Sequence, residues 1–149
     1  MDTAVAVENF SLTMERVFNA SKQAVYEAWT DRDALTEWFA PTKEMKTIMH
    51  QMECEVGGKY HVEMLEPDGT SHVTHGEYVV LDPFDQIVFT WDWDSDELEV
   101  RSLVTIDLSD GDGKTRMVLT HERLGSQRSV DLHNEGWTGC IAQLEAFIE

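Results

Sequence analysis

The closing stretch SVDLHNEGWTGCIAQLEAFIE, Ser129 to Glu149, leaves this chain few ways to fold. With successive residues about 100° apart, as in an α-helix, Val130, His133, Trp137, Cys140, Ile141, Leu144 and Ile148 share one stripe. Phe147 borders that stripe, while Asp131, Asn134, Glu135, Ala142, Glu145 and Glu149 fall outside it. A one-sided apolar stripe must be buried against another element to be stable. At about 1.5 Å per residue the helix reaches roughly 30 Å, enough to cross a small domain. Gly136 and Gly139 each cost about 1 kcal/mol relative to alanine inside a helix, so close approach of backbone or a bulky side chain is expected at both. His133 reads either as a hydrogen-bonded core histidine or as a functional group.

The rest of the chain has to supply the surface that this helix covers. Asn9 to Phe18 alternates Phe10, Leu12, Met14 and Phe18 with polar residues, the period of a strand. Ser21 is a good N-cap for a helix over Lys22 to Trp29, with Ala24, Val25, Ala28 and Trp29 as its buried side. Asp31 caps a second short helix through Ala34, Leu35 and Trp38, ended by Pro41. From Met45 the period changes to two. Strands follow over Lys46 to Cys54, around Tyr60, Val62 and Met64, over Thr74 to Leu81, Gln86 to Trp93, Leu98 to Leu108, and Thr115 to Glu122. Turns at Gly57-Gly58, Pro67-Asp68-Gly69, Asp82-Pro83 and Asp110 to Gly113 separate them. Ile87, Phe89, Trp91 and Trp93 share one face, as do Val100, Val104, Ile106 and Leu108. Hairpin-length connections argue for an antiparallel sheet with the helices on one face, an α+β sandwich in the order β-α-α-β6-α. If the sheet curls around the long helix, a cavity between them follows.

Charge narrows the partners. Eleven basic against 29 acidic residues give a net charge of −18. Counterion release on nucleic acid needs clustered Lys and Arg, which this chain lacks, so neither nucleic acid nor an anionic membrane surface is expected as a partner. A strongly charged surface of this kind also maintains solubility in a saline habitat. No run approaches a membrane span, and the start MDTAVAVENF lacks the basic and apolar regions of a signal peptide. A single cytoplasmic domain over 1–149 is expected, with Cys54 and Cys140 as thiols. Oligomeric state is not legible.

Reactive chemistry is sparse. His72 and His75 stand three apart on a strand and point to opposite faces, and the spacing of Cys54, His121 and Cys140 resembles no zinc site, so no metal or cofactor is expected. Asp92 to Glu99 superficially resembles a calcium loop. The required Gly and Glu at positions six and twelve are here Glu97 and Leu103, which leaves a solvated acidic hairpin tip. No nucleophile motif or phosphate-binding glycine loop is present, so no catalytic residue is assigned. The aromatic set is the better signal. Trp38, Trp91, Trp93, Trp137, Phe89 and Met64 suit an apolar pocket, and Tyr60, His121 and His133 would be its polar groups. The alternative is that these residues are only core; an open cavity is the expectation.

Several segments, in order, resemble a known family. They are Arg16 to Tyr26 (R-x-x-x-A-x-x-x-x-V-Y), Trp38 to Pro41 (W-F-A-P), Gly57-Gly58, Pro67 to Gly69, Gly76 to Pro83 (G-x-Y-x-x-x-D-P), Phe89 to Trp91 (F-T-W) and His133 to Trp137 (H-x-x-G-W). This series resembles the START-like (SRPBCC) superfamily, in its branch named after the activator of the heat-shock-protein-90 ATPase. The resemblance implies a helix-grip fold, a curved antiparallel sheet wrapped around the long C-terminal helix. It also implies one of several roles, since members carry apolar molecules, transport lipids, cyclise polyketides or bind a chaperone. The family often has Arg where this chain has Glu55, a reversal of charge. The eukaryotic activator has a larger domain ahead of this one, which these residues do not supply. The expected function is binding of a small apolar or amphipathic molecule between sheet and helix. The alternatives are a chaperone-interaction module and, third, a cyclase-like enzyme.

Overall fold

A computed structural model describes residues 10–95 and 101–149. Among them, the order is β1 (Leu12–Phe18), α1 (Lys22–Thr30), α2 (Arg32–Trp38), β2 (Lys46–Met52), β3 (Lys59–Leu65), β4 (Ser71–Asp82), β5 (Gln86–Trp93), β6 (Ser102–Gly111), β7 (Lys114–Glu122) and α3 (Gln127–Ile148). The strands make one antiparallel, seven-stranded sheet in the order β1-β7-β6-β5-β4-β3-β2. β2 to β7 thus form a plain meander, and β1 closes on β7 with Leu12 opposite His121 and Phe18 opposite Thr115. The sheet is curved and open, with the helix-grip arrangement around α3. Register shifts between Met49 and Gln51 and between Tyr78 and Val80 interrupt the ladders, and irregularities of this kind add local bend and twist.

Local chemistry explains the ends of the helices. Ser21 Oγ accepts the Ala24 N–H, Asp31 accepts the Ala34 N–H, and Ser126 accepts the Ser129 N–H. Because the cap is Ser126, α3 begins at Gln127, two residues before the expected start. The expected strand from Asn9 begins at Leu12, and Asn9 itself lies outside the described residues. The expected strand from Leu98 runs from Ser102, with residues 98–100 also outside them.

On β6 and β7 alternation sets the inner face, with Val104, Ile106, Leu108, Met117, Leu119 and His121 buried. On β5 it does not. Val88, Thr90 and Asp92 are buried along with Ile87, Phe89 and Trp91, because Thr90 Oγ1 accepts the Glu77 N–H and Asp92 accepts the Arg101 N–H. Asp92 is therefore no part of a solvated tip; of that segment, residues 96–99 lie outside the described ones.

The stripe of α3 is used unevenly. Trp137, Cys140, Ile141 and Leu144 are buried, whereas Val130 and His133 are only partly so. The last turns are tied down: Arg16 on β1 bonds Glu145 at 3.2 Å, and Glu149 accepts the Asn19 N–H. The two glycines also differ. A Cβ on Gly139 would lie 2.1 Å from the Pro41 carbonyl oxygen, so backbone does come close there. A Cβ on Gly136 would meet nothing within 4 Å, contrary to the close approach expected. The first half of α3 stands off the sheet.

Candidate functional site

Beneath that raised half lies a cavity of about 390 Å³. Met64 of β3 and Trp91 and Trp93 of β5 form its floor, and His133, Trp137 and Cys140 of α3 its roof. Pro41 closes one side, and exposed Ser126, Arg128 and Leu132 stand at the rim. A second space, about 30 Å³, lies among Trp29, Phe39, Tyr60, Phe89 and Trp91. Trp91 borders both.

The candidate residues therefore separate into four groups. Met64, Trp91, Trp93, His133 and Trp137 line the larger cavity. Tyr60 and Phe89 border the small void instead. His121 is fully buried and lines neither. Trp38 also lines neither; its indole donates to the Ala28 carbonyl and its ring packs edge-on against Trp29 and Phe39. Tertiary packing of α1 on α2 claims that ring.

The two histidines act on the tryptophans. The Trp137 indole N–H donates to His121 Nδ1 at 3.0 Å, which leaves the other imidazole nitrogen to carry the hydrogen and donate to Ser102 Oγ at 3.0 Å. The Ser102 hydroxyl in turn donates to the Trp91 carbonyl. Burial, and secondarily neighbouring His133, push the pKa of His121 down to about 3, so this chain of bonds is uncharged at neutral pH. His133 repeats the pattern at the cavity wall. Its Nε2 accepts the Trp93 indole N–H at 3.0 Å, and its Nδ1 donates to the Ser129 carbonyl one turn back, at 2.8 Å. The two imidazoles stand edge to face, with centroids 4.8 Å apart. Each holds an indole in place, and both nitrogens of each are engaged. Sequence spacing carries no signal for these pairings, since the partners are 16 and 40 residues apart.

Other polar groups are similarly committed. The Tyr60 hydroxyl donates to the Thr90 carbonyl, and burial raises its pKa well above the usual phenol value. Burial pushes the Cys140 thiol up to about 12, so it faces the cavity as an un-ionised group. Cys54 is half-buried beside Tyr78, its pKa raised by burial. Among the described residues, no three His, Cys, Asp or Glu side chains converge as metal ligands would. His50, His61, His72 and His75 engage surface carboxylates, with His61 and His75 sharing Asp94. In contrast, the indole N–H groups of Trp29 and Trp91 are buried and find no hydrogen-bond partner among the described residues.

Sequence reasoning missed Pro41, Cys140 and the rim residues Ser126, Arg128, Ser129, Leu132 and Gly136 as cavity walls. Leu132 lies off the apolar stripe and is exposed, and that mismatch was the available signal. Among the described residues no helix is long and apolar enough to cross a membrane.

No curated protein matches the chain. Solved structures do. A protein from Chromobacterium violaceum is 26% identical, covers 93% of this chain and 96% of its own, and superposes with a TM-score of 0.86. The AHSA1 protein from Silicibacter pomeroyi is 25% identical over 92% of this chain and 96% of its own, with a TM-score of 0.80. A solution structure from Arthrobacter aurescens shares the fold at 24% identity, covering 99% of this chain and 89% of its own, with a TM-score of 0.79. The family profile described as Activator of Hsp90 ATPase homolog 1-like protein matches residues 19–149. By that match, across most of its length, the chain belongs to the Activator of Hsp90 ATPase homolog 1-like family.

Proposed function

We propose that this protein binds one small apolar or amphipathic molecule in the cavity between β3, β5 and the first half of α3. The observation that supports this reading is the space itself. A volume of about 390 Å³ falls in the range of small-molecule sites, and its walls are chiefly aromatic and aliphatic. Three indoles face it, so a bound molecule touches tryptophan. Burying about 200 Å² of ligand at roughly 25 cal/mol per Å² gives a gross gain near 5 kcal/mol. Association and ordering costs reduce it, which places affinities at micromolar or weaker. An environment-sensitive apolar dye should bind with quenching of tryptophan fluorescence and be displaced by apolar competitors. A chain that quenches with neither dye nor competitor is a filled core, and the reading fails.

The family description favours a second reading, action on a heat-shock-protein-90-type chaperone. A several-fold rise in the chaperone's ATPase rate on adding this protein would carry it. An enzymatic reading draws no comparable support. The interior polar groups His121 and Tyr60 have their polar hydrogens committed to Ser102 and Thr90, and His133 has its nitrogens committed to Trp93 and Ser129.

A further inference from the structure

The charge at the cavity mouth narrows the ligand's chemistry, an inference that rests on the cavity reading. The chain carries 29 acidic residues, yet among the described residues none borders the larger cavity, whereas one arginine, Arg128, does. Arg128 is exposed at the rim and therefore open to a ligand. Elsewhere Arg16, Lys22 and Arg116 are each paired with a carboxylate. Asp131, the next acid along α3 from Arg128, bonds Gln127 instead. Farther in, the wall holds nothing to balance an anion. Met64, Trp91, Trp93 and Trp137 are apolar, the Cys140 thiol is un-ionised, and both nitrogens of His133 are engaged. A charge placed at that depth would stand uncompensated.

We propose that the ligand is an amphipathic monoanion, with its apolar body in the cavity and a carboxylate-type head at the mouth, against the guanidinium of Arg128. The fork of donors on arginine matches the two oxygens of a carboxylate. A head held at the rim keeps its contact with water while the body loses its own, so neither part is desolvated against its chemistry. The absence of acidic residues from the lining removes the repulsion that such a head would meet over most of this protein's surface. A second charge on the head would find no further arginine or lysine bordering the cavity among the described residues, in a protein that carries −18.

Three probes with one body and different heads test this: 4-cyclohexylbenzoate, the neutral 4-cyclohexylbenzamide, and the phosphate monoester 4-cyclohexylphenyl phosphate. Each is titrated against the full chain by dye displacement at neutral pH. The benzoate should bind about threefold to fivefold more tightly than the amide, as an ion pair at an exposed rim warrants, and the phosphate no more tightly than the benzoate. That preference for benzoate over amide should vanish in Arg128→Gln and largely return in Arg128→Lys, which restores the charge. Because the readout is a ratio, any general change in the cavity cancels. In wild type the benzoate, and not the amide, should also shift the Arg128 Nε–H signal in ¹⁵N NMR, which decides the matter if the variants do not fold. Equal affinities in wild type, or a preference that survives in Arg128→Gln, overturn the headgroup assignment and leave the cavity reading intact. Tightest binding by the phosphate overturns the single charge. If none of the three binds, the inference and the cavity reading fall together.

Discussion

The space between sheet and helices has two ends built from the same residue types with opposite outcomes. At one end α1 and α2 press Trp29, Leu35 and Phe39 onto Tyr60, Tyr78 and Phe89, leaving about 30 Å³. At the other, the first turns of α3 arch over Met64, Trp91 and Trp93 and leave about 390 Å³. Aromatic content does not separate the ends. What separates them is how each cover is held. The α1–α2 pair is capped by Ser21 and Asp31 and locked by the bond from Trp38 to the Ala28 carbonyl. The first half of α3 is capped by Ser126 but buries no residue before Trp137, and its anchors to β1 sit at the far end. A stripe of correct period can hold a helix over a surface without filling what lies beneath.

The largest expected effect sharpens that contrast. Trp29→Ala removes a ring packed against Trp38, Phe39, Phe89 and Trp137 and should destabilise by about 3–5 kcal/mol in urea unfolding. Leu132→Ala, at the rim and 55% exposed, should stay within about 0.5 kcal/mol. Comparable costs at the two positions would break the distinction between a filled and an open end.

Next comes acidity. His121 titrates near 3 in the folded protein because it is buried, against an ordinary 6.5. Between those values the unfolded chain binds a proton that the folded chain does not. Stability therefore rises with pH through this window, is complete above about 6.5, and falls as pH drops. From pH 6.5 to 4 the loss should reach roughly 3 kcal/mol. Burial pushes the Asp94 carboxyl up, but hydrogen bonds from His61 and His75 together outweigh it, and hydrogen bonds from Ser71 and His50 lower Glu63; both carboxyls act in the same direction at lower pH. Urea midpoints measured across pH 4–7 for wild type and His121→Gln give the test. The variant should show a visibly flatter profile, and an unchanged slope would mean that the buried imidazole is protonated in place. A His121 that stays neutral above about 3 also supplies no positive charge to attract a ligand's carboxylate.

How much of this was legible follows from what each signal measures. Strand order, both short helices and the long one came from periodicity and turns, which report local geometry. The helix-grip arrangement came from the ordered series of family segments. The contents of the interior were not legible, because Trp38 and Trp91 carry the same apolar signature. One is claimed by a neighbouring helix, the other by an open wall. The imidazole–indole pairs escaped for a related reason: they depend on which strands are neighbours and how far α3 is lifted, and neither is encoded within a short window.

The smallest expected effect isolates the lift of α3 itself, using two glycines three residues apart on one helix. Each gains about 1 kcal/mol of helix propensity on replacement by alanine. At Gly136 the new methyl group meets nothing within 4 Å, so that gain should appear almost whole, as a rise in the urea midpoint. At Gly139 it lies 2.1 Å from the Pro41 carbonyl oxygen, and both atoms belong to fixed backbone or its first substituent. Either α3 or the segment after α2 must then move. Overpacking of this kind costs about 1–3 kcal/mol, which outweighs the propensity gain and should leave Gly139→Ala less stable than wild type. The sign difference between neighbours is the sensitive quantity, because both variants share helix, solvent exposure of the unfolded chain and side-chain chemistry. If Gly136→Ala were also destabilising, the first half of α3 would have to lie closer to the sheet than it does here, and the larger cavity would close with it.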